Sequence, residues 1–178
     1  MERITLHDKT FRTYIPYKDI EKEITRVAGA LNEDLKEEDN PVFIGILNGS
    51  YMFIADLMKK INLDCVVTFV KLASYSGTRN TGKIVEVLGL CHDITDKTVV
   101  IVEDVVDSGS TIAKLKEDLM KRNPKKILVC SLLFKPNAYR QAAPIEYVCF
   151  SIPNDFVVGY GLDYDHLGRN LKDIYVID

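Results

Sequence analysis

The 178-residue chain contains no tryptophan and only three histidines, His7, His92 and His166. The histidines are scattered and form no His-Glu-x-x-His or triad-like local pattern, so neither a zinc hydrolase nor a histidine-based relay is indicated. Four cysteines are present, Cys65, Cys91, Cys130 and Cys149, without a Cys-x-x-Cys pair. Three of them lie in apolar, strand-like runs, which predicts buried reduced thiols rather than zinc ligands or disulfides. No apolar run approaches the ~20 residues that cross a bilayer, and the charged start Met1-Glu-Arg-Ile-Thr-Leu-His-Asp8 lacks the core of a signal peptide. Basic residues are in slight deficit, with a net charge of −3, which argues against a broad nucleic-acid surface. These absences predict a cytoplasmic protein that binds neither membrane nor nucleic acid.

What remains is an ordinary globular composition, 47% hydrophobic and 28% charged, long enough for one hydrophobic core. Ile20, Ile24, Val27, Leu31 and Leu35 make one stripe of an amphipathic helix, with Pro16 before it and Asp19 and Glu21 near its start. Continuous apolar runs at Val42–Leu47, Cys65–Leu72, Val99–Val102 and Lys126–Lys135 predict strands buried on both faces. Tyr51–Lys60 and the run from Ile112 predict helices between them, and Ile84–Leu90, Tyr147–Ile152, Phe156–Leu162 and Ile174–Ile177 predict further strands. Strand–helix alternation of this kind predicts an α/β fold, a doubly wound, mostly parallel sheet with helices on both faces. A single domain over 1–178 is expected, with a small hood from about 1–15 and 150–178 and a flexible lid at about 74–83. In such sheets ligands bind beyond the carboxyl ends of the strands. The chemically loaded segments Leu47–Ser50, Glu103–Thr111, Lys135 and Asp163 all follow apolar runs.

The most informative stretch is Val99-Val-Ile-Val-Glu-Asp-Val-Val-Asp-Ser-Gly-Ser-Thr111. A buried strand emerges into Glu103, Asp104 and Asp107, then into a Ser/Gly/Thr turn at a helix start. Backbone amides of such a turn cradle phosphate, while the acids can grip hydroxyls, take a proton or hold a phosphate-bound cation. This stretch resembles the phosphoribosyl-pyrophosphate (PRPP) motif of the type I phosphoribosyltransferases. Ile46–Leu57, Lys71–Tyr75, Glu103–Thr111, Leu132–Lys135 and Phe156–Asp163 together look like the hypoxanthine-guanine phosphoribosyltransferase family, in order and approximate spacing.

The resemblance implies Mg²⁺-dependent purine salvage, in which PRPP and hypoxanthine or guanine give IMP or GMP and pyrophosphate. It implies that Ser108, Gly109, Ser110 and Thr111 wrap the 5′-phosphate and that Glu103 and Asp104 face the ribose. Asp107 becomes the general acid/base at purine N7, although its residue type also suits a helix N-cap. Lys135 donates to O6, Phe156 stacks on the purine and Val157 offers backbone groups, with Asp163 nearby. Leu47, Asn48, Gly49 and Arg169 meet pyrophosphate, and the Leu47-Asn48 peptide can be cis in the family. Many relatives carry Lys at the position of Asn48, and asparagine cannot supply that charge. Glu103, Asp104 and Asp163 are the implied metal contacts. Ser74 and Tyr75 match lid residues. Gly77-x-x-x-x-Gly82-Lys83 nearly makes a nucleotide-triphosphate loop, but Ile84 stands where Ser or Thr must bind Mg²⁺ and a strand follows, which excludes that reading. A homodimer or homotetramer is expected. The alternatives are a xanthine-preferring or other type I transferase, and a non-catalytic nucleotide-sensing regulator of the same fold.

Overall fold

The computed structural model describes residues 2–74 and 84–178. The elements begin with β1 (Arg3–Leu6), β2 (Lys9–Ile15), α1 (Tyr17–Asp34), β3 (Val42–Leu47) and α2 (Tyr51–Met58). Next come β4 (Val66–Ser74), β5 (Ile84–Leu88), β6 (Thr98–Val106), α3 (Ser110–Met120) and β7 (Lys126–Phe134). The chain closes with β8 (Tyr147–Ser151), β9 (Val157–Val158) and β10 (Ile174–Ile177).

Six strands form the main sheet in the order β5-β4-β3-β6-β7-β8, parallel throughout except for the β4–β5 pair. The apolar runs are continuous because both faces are covered, and alternate residues of one strand feed different cores. Val100 and Val102 pack with Ile20, Ile24 and Leu31 of α1 and with Phe53 and Leu57 of α2. Val99 and Ile101 pack with Ile112, Leu115 and Leu119 of α3 on the other side. Each such side chain, fully buried, contributes roughly 1.5–3 kcal/mol. The doubly wound architecture expected from the sequence is the one observed.

Topology then fixes the crevice. From β3 the chain winds outward to β4, returns to β6, and winds the opposite way to β7 and β8. The carboxyl ends of β3 and β6 therefore flank the switch point, where doubly wound sheets bind ligands.

A second, antiparallel sheet, in the order β1-β2-β10-β9, joins the two ends of the chain around Phe11, Val158 and Tyr175. Local differences from the sequence reading have physical causes. The Phe156–Leu162 strand is cut to Val157–Val158, because Gly159, Tyr160 and Gly161 all take positive φ and turn the chain. α3 starts at Ser110 rather than near Ile112, since its first turn is made of hydroxylated residues that carry no apolar period.

Candidate active site

β6 does not stop at its apolar run. It continues through Glu103 and Asp104 to Val106, so the two acids lie inside the strand and point to opposite faces. Glu103 joins Val105–Ile112 around a cavity of ≈120 Å³. Asp104 instead lines a cavity of ≈330 Å³ with Gly49, Asp107, Lys135, Phe156, Val157, Asp163 and Arg169. Asp107 borders both cavities.

The smaller cavity is a polar cradle formed by the end of β6, the turn and the start of α3. Gly109 is the residue before α3 and takes φ 78°, which glycine adopts without penalty. A Cβ there would also run into the Tyr139 ring and the Gln141 side chain. The turn is braced from behind, where Arg140 N and Gln141 Nε2 donate to Ser108 O at 3.2 and 3.3 Å. Ser108 Oγ and Ser110 Oγ lie 2.9 Å apart. The amides of the first turn of α3 face this cradle with the positive end of the helix dipole. Asp107 makes no cap on α3. The cap position belongs to Gly109, and the side chain that accepts from the first helical amide is that of Ser108, whose Oγ lies 3.4 Å from Ser110 N.

The two strand acids are electrostatically unusual. Glu103 is 9% exposed and its Oε2 has no hydrogen-bond partner. Burial, reinforced by Asp104, pushes its carboxyl well above the ordinary range. Asp104 Oδ1 accepts from Val105 N at 2.9 Å. Desolvation by the surrounding protein still raises its carboxyl to about 6, opposed by backbone amides and Arg169.

In the larger cavity Lys135 follows β7 directly, and its amide donates to Val106 O at 3.0 Å. Its side chain is 12% exposed and Nζ lies 3.0 Å from Asp107 Oδ1. Phe156 is exposed immediately before β9, and Val157 is buried within it. Asp163 accepts from Arg169 Nη2 at 2.6 Å, and Arg169 Nη1 donates to Gly161 O at 2.7 Å.

The Leu47-Asn48 peptide is cis. Beyond it Gly49 is enclosed on two sides. A Cβ on Gly49 would overlap the Asp104 carboxylate, and a Cβ on Gly161 (φ 102°) would overlap the Gly49 carbonyl oxygen. Leu47, Asn48 and Arg169 also border a third cavity of ≈370 Å³ with Tyr51 and His166–Asn170.

Several supporting residues escaped the sequence reading. Tyr51 Oη donates to Arg169 O at 2.9 Å, and the buried Tyr160 donates to Asp56 Oδ2 at 2.6 Å. α2 thus holds the loop that carries Asp163 and Arg169. Within α2, Tyr51 only opens an apolar helix pattern and Asp56 is one of its polar residues, so neither carried a local signal. Of the expected lid, Ser74 ends β4, while Tyr75–Lys83 lie outside the described residues.

A model of the phosphoribosyl transferase domain matches residues 16–165. The chain belongs to the phosphoribosyl transferase family. Among members of this family it is 39% identical over 167 residues to the hypoxanthine phosphoribosyltransferase of Escherichia coli strain K12, covering 93% of this chain and 94% of that one. It is 44% identical over 138 residues to the hypoxanthine-guanine phosphoribosyltransferase of Mycobacterium tuberculosis strain H37Rv, covering 77% and 68%. A crystal structure of a Bacillus anthracis hypoxanthine-guanine phosphoribosyltransferase, with HEPES in its active site, superposes with a TM-score of 0.87. It is 35% identical and covers 94% of this chain and 96% of that one. The Trypanosoma cruzi hypoxanthine phosphoribosyl transferase gives 0.88 at 32% identity, covering 98% and 95%. Among the described residues, no helix is long and apolar enough to cross a membrane.

Proposed function

We propose that this phosphoribosyltransferase moves the 5-phosphoribosyl group of PRPP to N9 of hypoxanthine or guanine, releasing pyrophosphate and giving IMP or GMP. The observation that carries the reading is the position of Asp107. It borders the Ser108–Thr111 cradle and the larger cavity at once, and in the latter it meets Lys135. A ribose 5-phosphate seated at Ser108–Thr111 then has its C1 beside a base held by Lys135 and Phe156.

In this reading the turn and first helical amides at Ser108, Gly109, Ser110 and Thr111 bind the 5′-phosphate. Glu103 and Asp104 approach the ribose from the two faces of β6. Lys135 donates to the purine O6, which selects 6-oxopurines over the amino group of adenine, and Phe156 stacks on the ring. Val157 offers backbone groups to the base edge. Asp107 takes or shares the N7 proton as the ribose turns oxocarbenium-like, the stage at which general acid–base help and exclusion of water lower the barrier. The Leu47, Asn48 and Gly49 turn and Arg169 hold pyrophosphate, with Asp163 orienting the guanidinium through their ion pair.

The donor set suits Mg²⁺. Asp104 and Asp163 place hard oxygen donors in the ≈330 Å³ cavity, while Glu103 Oε2, a buried oxygen without a partner, lies on the opposite face of β6. Among the described residues no group of three or more His, Cys, Asp and Glu side chains converges on one point. Mg²⁺ takes one or two protein carboxylates and completes its octahedron with water and substrate oxygens, a need that Asp104 and Asp163 would meet. When bound, the ion would neutralise charge on the departing pyrophosphate. Four free cysteines fit a reducing, cytoplasmic setting. A homodimer or homotetramer is proposed as the assembly.

The test is an absorbance assay with PRPP, with and without Mg²⁺, across hypoxanthine, guanine, xanthine, adenine, uracil and orotate. Mg²⁺-dependent turnover of hypoxanthine and guanine is expected, and a clear preference for xanthine would favour the xanthine enzyme. Turnover confined to a pyrimidine or adenine, or none at all, would overturn the reading.

A further inference from the structure

Phe156 is 44% exposed, and a ring so open to water needs outside support to keep one orientation. Among the described residues two other rings meet it. Phe11, fully buried in the small sheet, lies 6.3 Å away between centroids. Tyr164 stands edge-on to it at 81°, with 5.8 Å between centroids. Phe11 and Tyr164 also touch, at 6.1 Å, so the three rings form a closed triangle.

Tyr164 is itself held by three consecutive residues, the turn residues His7 and Asp8 and the first residue of β2, Lys9. Its hydroxyl donates to Asp8 Oδ1 at 2.7 Å. The His7 ring packs edge-on against it at 5.7 Å, and the Lys9 ammonium lies 5.5 Å from the centre of its face. The hydroxyl bond holds the Asp8 carboxyl below its ordinary range and raises the tyrosine above its own. A second link ties the same two segments, because His7 Nε2 lies 3.2 Å from Asp165 O. None of His7, Asp8, Lys9 or Tyr164 is among the residues lining the ≈330 Å³ cavity.

Binding on a freely rotating ring costs the ordering of that ring, whereas a ring already held adds its full contact. We infer that Tyr164 is a positioning residue for the base, clamped by the His7–Lys9 segment and fixing the plane of Phe156. The amino-terminal hairpin then sets affinity for the purine without touching it. The inference rests on the reading that Phe156 stacks on the base.

The experiment measures kcat and KM for hypoxanthine and for PRPP in the full-length protein. It compares wild type, Phe156→Leu, Tyr164→Leu, the double variant and Tyr164→Phe. Tyr164→Leu should raise KM for hypoxanthine about two- to tenfold, the range of an edge-to-face aromatic pair, with kcat and KM for PRPP unchanged. The double variant should be no worse than Phe156→Leu alone, as expected when one residue acts through the other. Tyr164→Phe, which keeps the ring and fold but frees it from Asp8, should raise KM for hypoxanthine by a smaller factor in the same direction. Additive single effects, or equal losses for PRPP and hypoxanthine, would overturn the positioning role. If Phe156→Leu weakens hypoxanthine while both Tyr164 variants are silent, the positioning role fails and the stacking reading stands. If Phe156→Leu itself leaves hypoxanthine untouched, both fall.

Discussion

The Lys135 ammonium lies 3.0 Å from the Asp107 carboxylate, joining the residue that follows β7 to the residue that follows β6. The lysine is nearly buried and the aspartate more than half exposed. A buried ammonium needs an anionic partner, and Asp107 supplies it while remaining open to the crevice. The two residues assigned to different atoms of the purine are therefore already in register before a base arrives.

Replacing Lys135 separates their roles. Lys135→Ala should weaken hypoxanthine and guanine use far more than PRPP binding, because the lysine borders the ≈330 Å³ cavity proposed for the base and not the Ser108–Thr111 cradle proposed for the phosphate. Steady-state KM values for both substrates check this, and equal losses would count against seating the purine here.

Asp107→Asn keeps the size of the side chain and an oxygen acceptor for Lys135 but removes the base. Nucleotide formation should slow by roughly 10²–10⁴-fold, while PRPP affinity measured by calorimetry stays nearly unchanged. An unimpaired rate would refute the proton-handling role.

Two glycine-to-alanine changes should act in opposite directions. At Gly49 the new methyl overlaps the Asp104 carboxylate, so Gly49→Ala should destabilise by about 1–3 kcal/mol and raise KM for PRPP. Gly29 sits on the exposed side of α1, with nothing within 4 Å of an added Cβ. Gly29→Ala should stabilise by about 0.4–1 kcal/mol without altering kinetics. Urea unfolding of the two variants tests both signs, and a neutral Gly49→Ala would mean that Asp104 yields easily.

Acid sensitivity should have an identifiable source at the amino ends of the strands. Glu38 accepts from Thr98 Oγ1 at 2.7 Å, and its carboxylate lies 2.9 Å from both Lys125 Nζ and Lys126 Nζ. These partners, the Thr98 hydroxyl foremost, lower its carboxyl from 4.5 to about 2. A depressed carboxylate stabilises the fold fully above its unfolded value and loses that contribution as pH falls towards the folded one. Glu38→Gln should therefore lower stability at neutral pH by about 1 kcal/mol, and the gap to wild type should close between pH 4.5 and about 2. A gap that persists at the acid end would assign the effect to packing.

Much of the scaffold was legible because its signals are local. The stripe Ile20–Leu35 announced α1, whose buried residues are Ile20, Ile24, Val27 and Leu31 of the stripe together with Ala28, while Leu35 sits at its cap, and the runs at Val42, Val99 and Lys126 announced the central strands. The amino-terminal hairpin was not legible. Arg-Ile-Thr-Leu and Lys-Thr-Phe-Arg-Thr-Tyr-Ile are short, half-exposed strands whose apolar residues are too few to stand out. The end of β6 misled in another way. Acids ordinarily mark the close of a buried strand, yet Glu103 and Asp104 remain in the ladder, where Glu103 pairs in register with Ser131 of β7.

By itself the sequence determined the Ser108–Thr111 turn at the start of a helix and the alternation of strands and helices from α1 onward, because turn chemistry and hydrophobic period act between near neighbours, and its motifs carried the resemblance to the family. Only tertiary structure decided that Glu103 and Asp104 open on different cavities, that Gly49 lies between Asp104 and Gly161, and that Tyr164 is held by a turn at the far end of the chain. Those juxtapositions follow from which strands are neighbours and which face each residue takes. They are set by burying both faces of the sheet at once, and no stretch of sequence read alone contains that information.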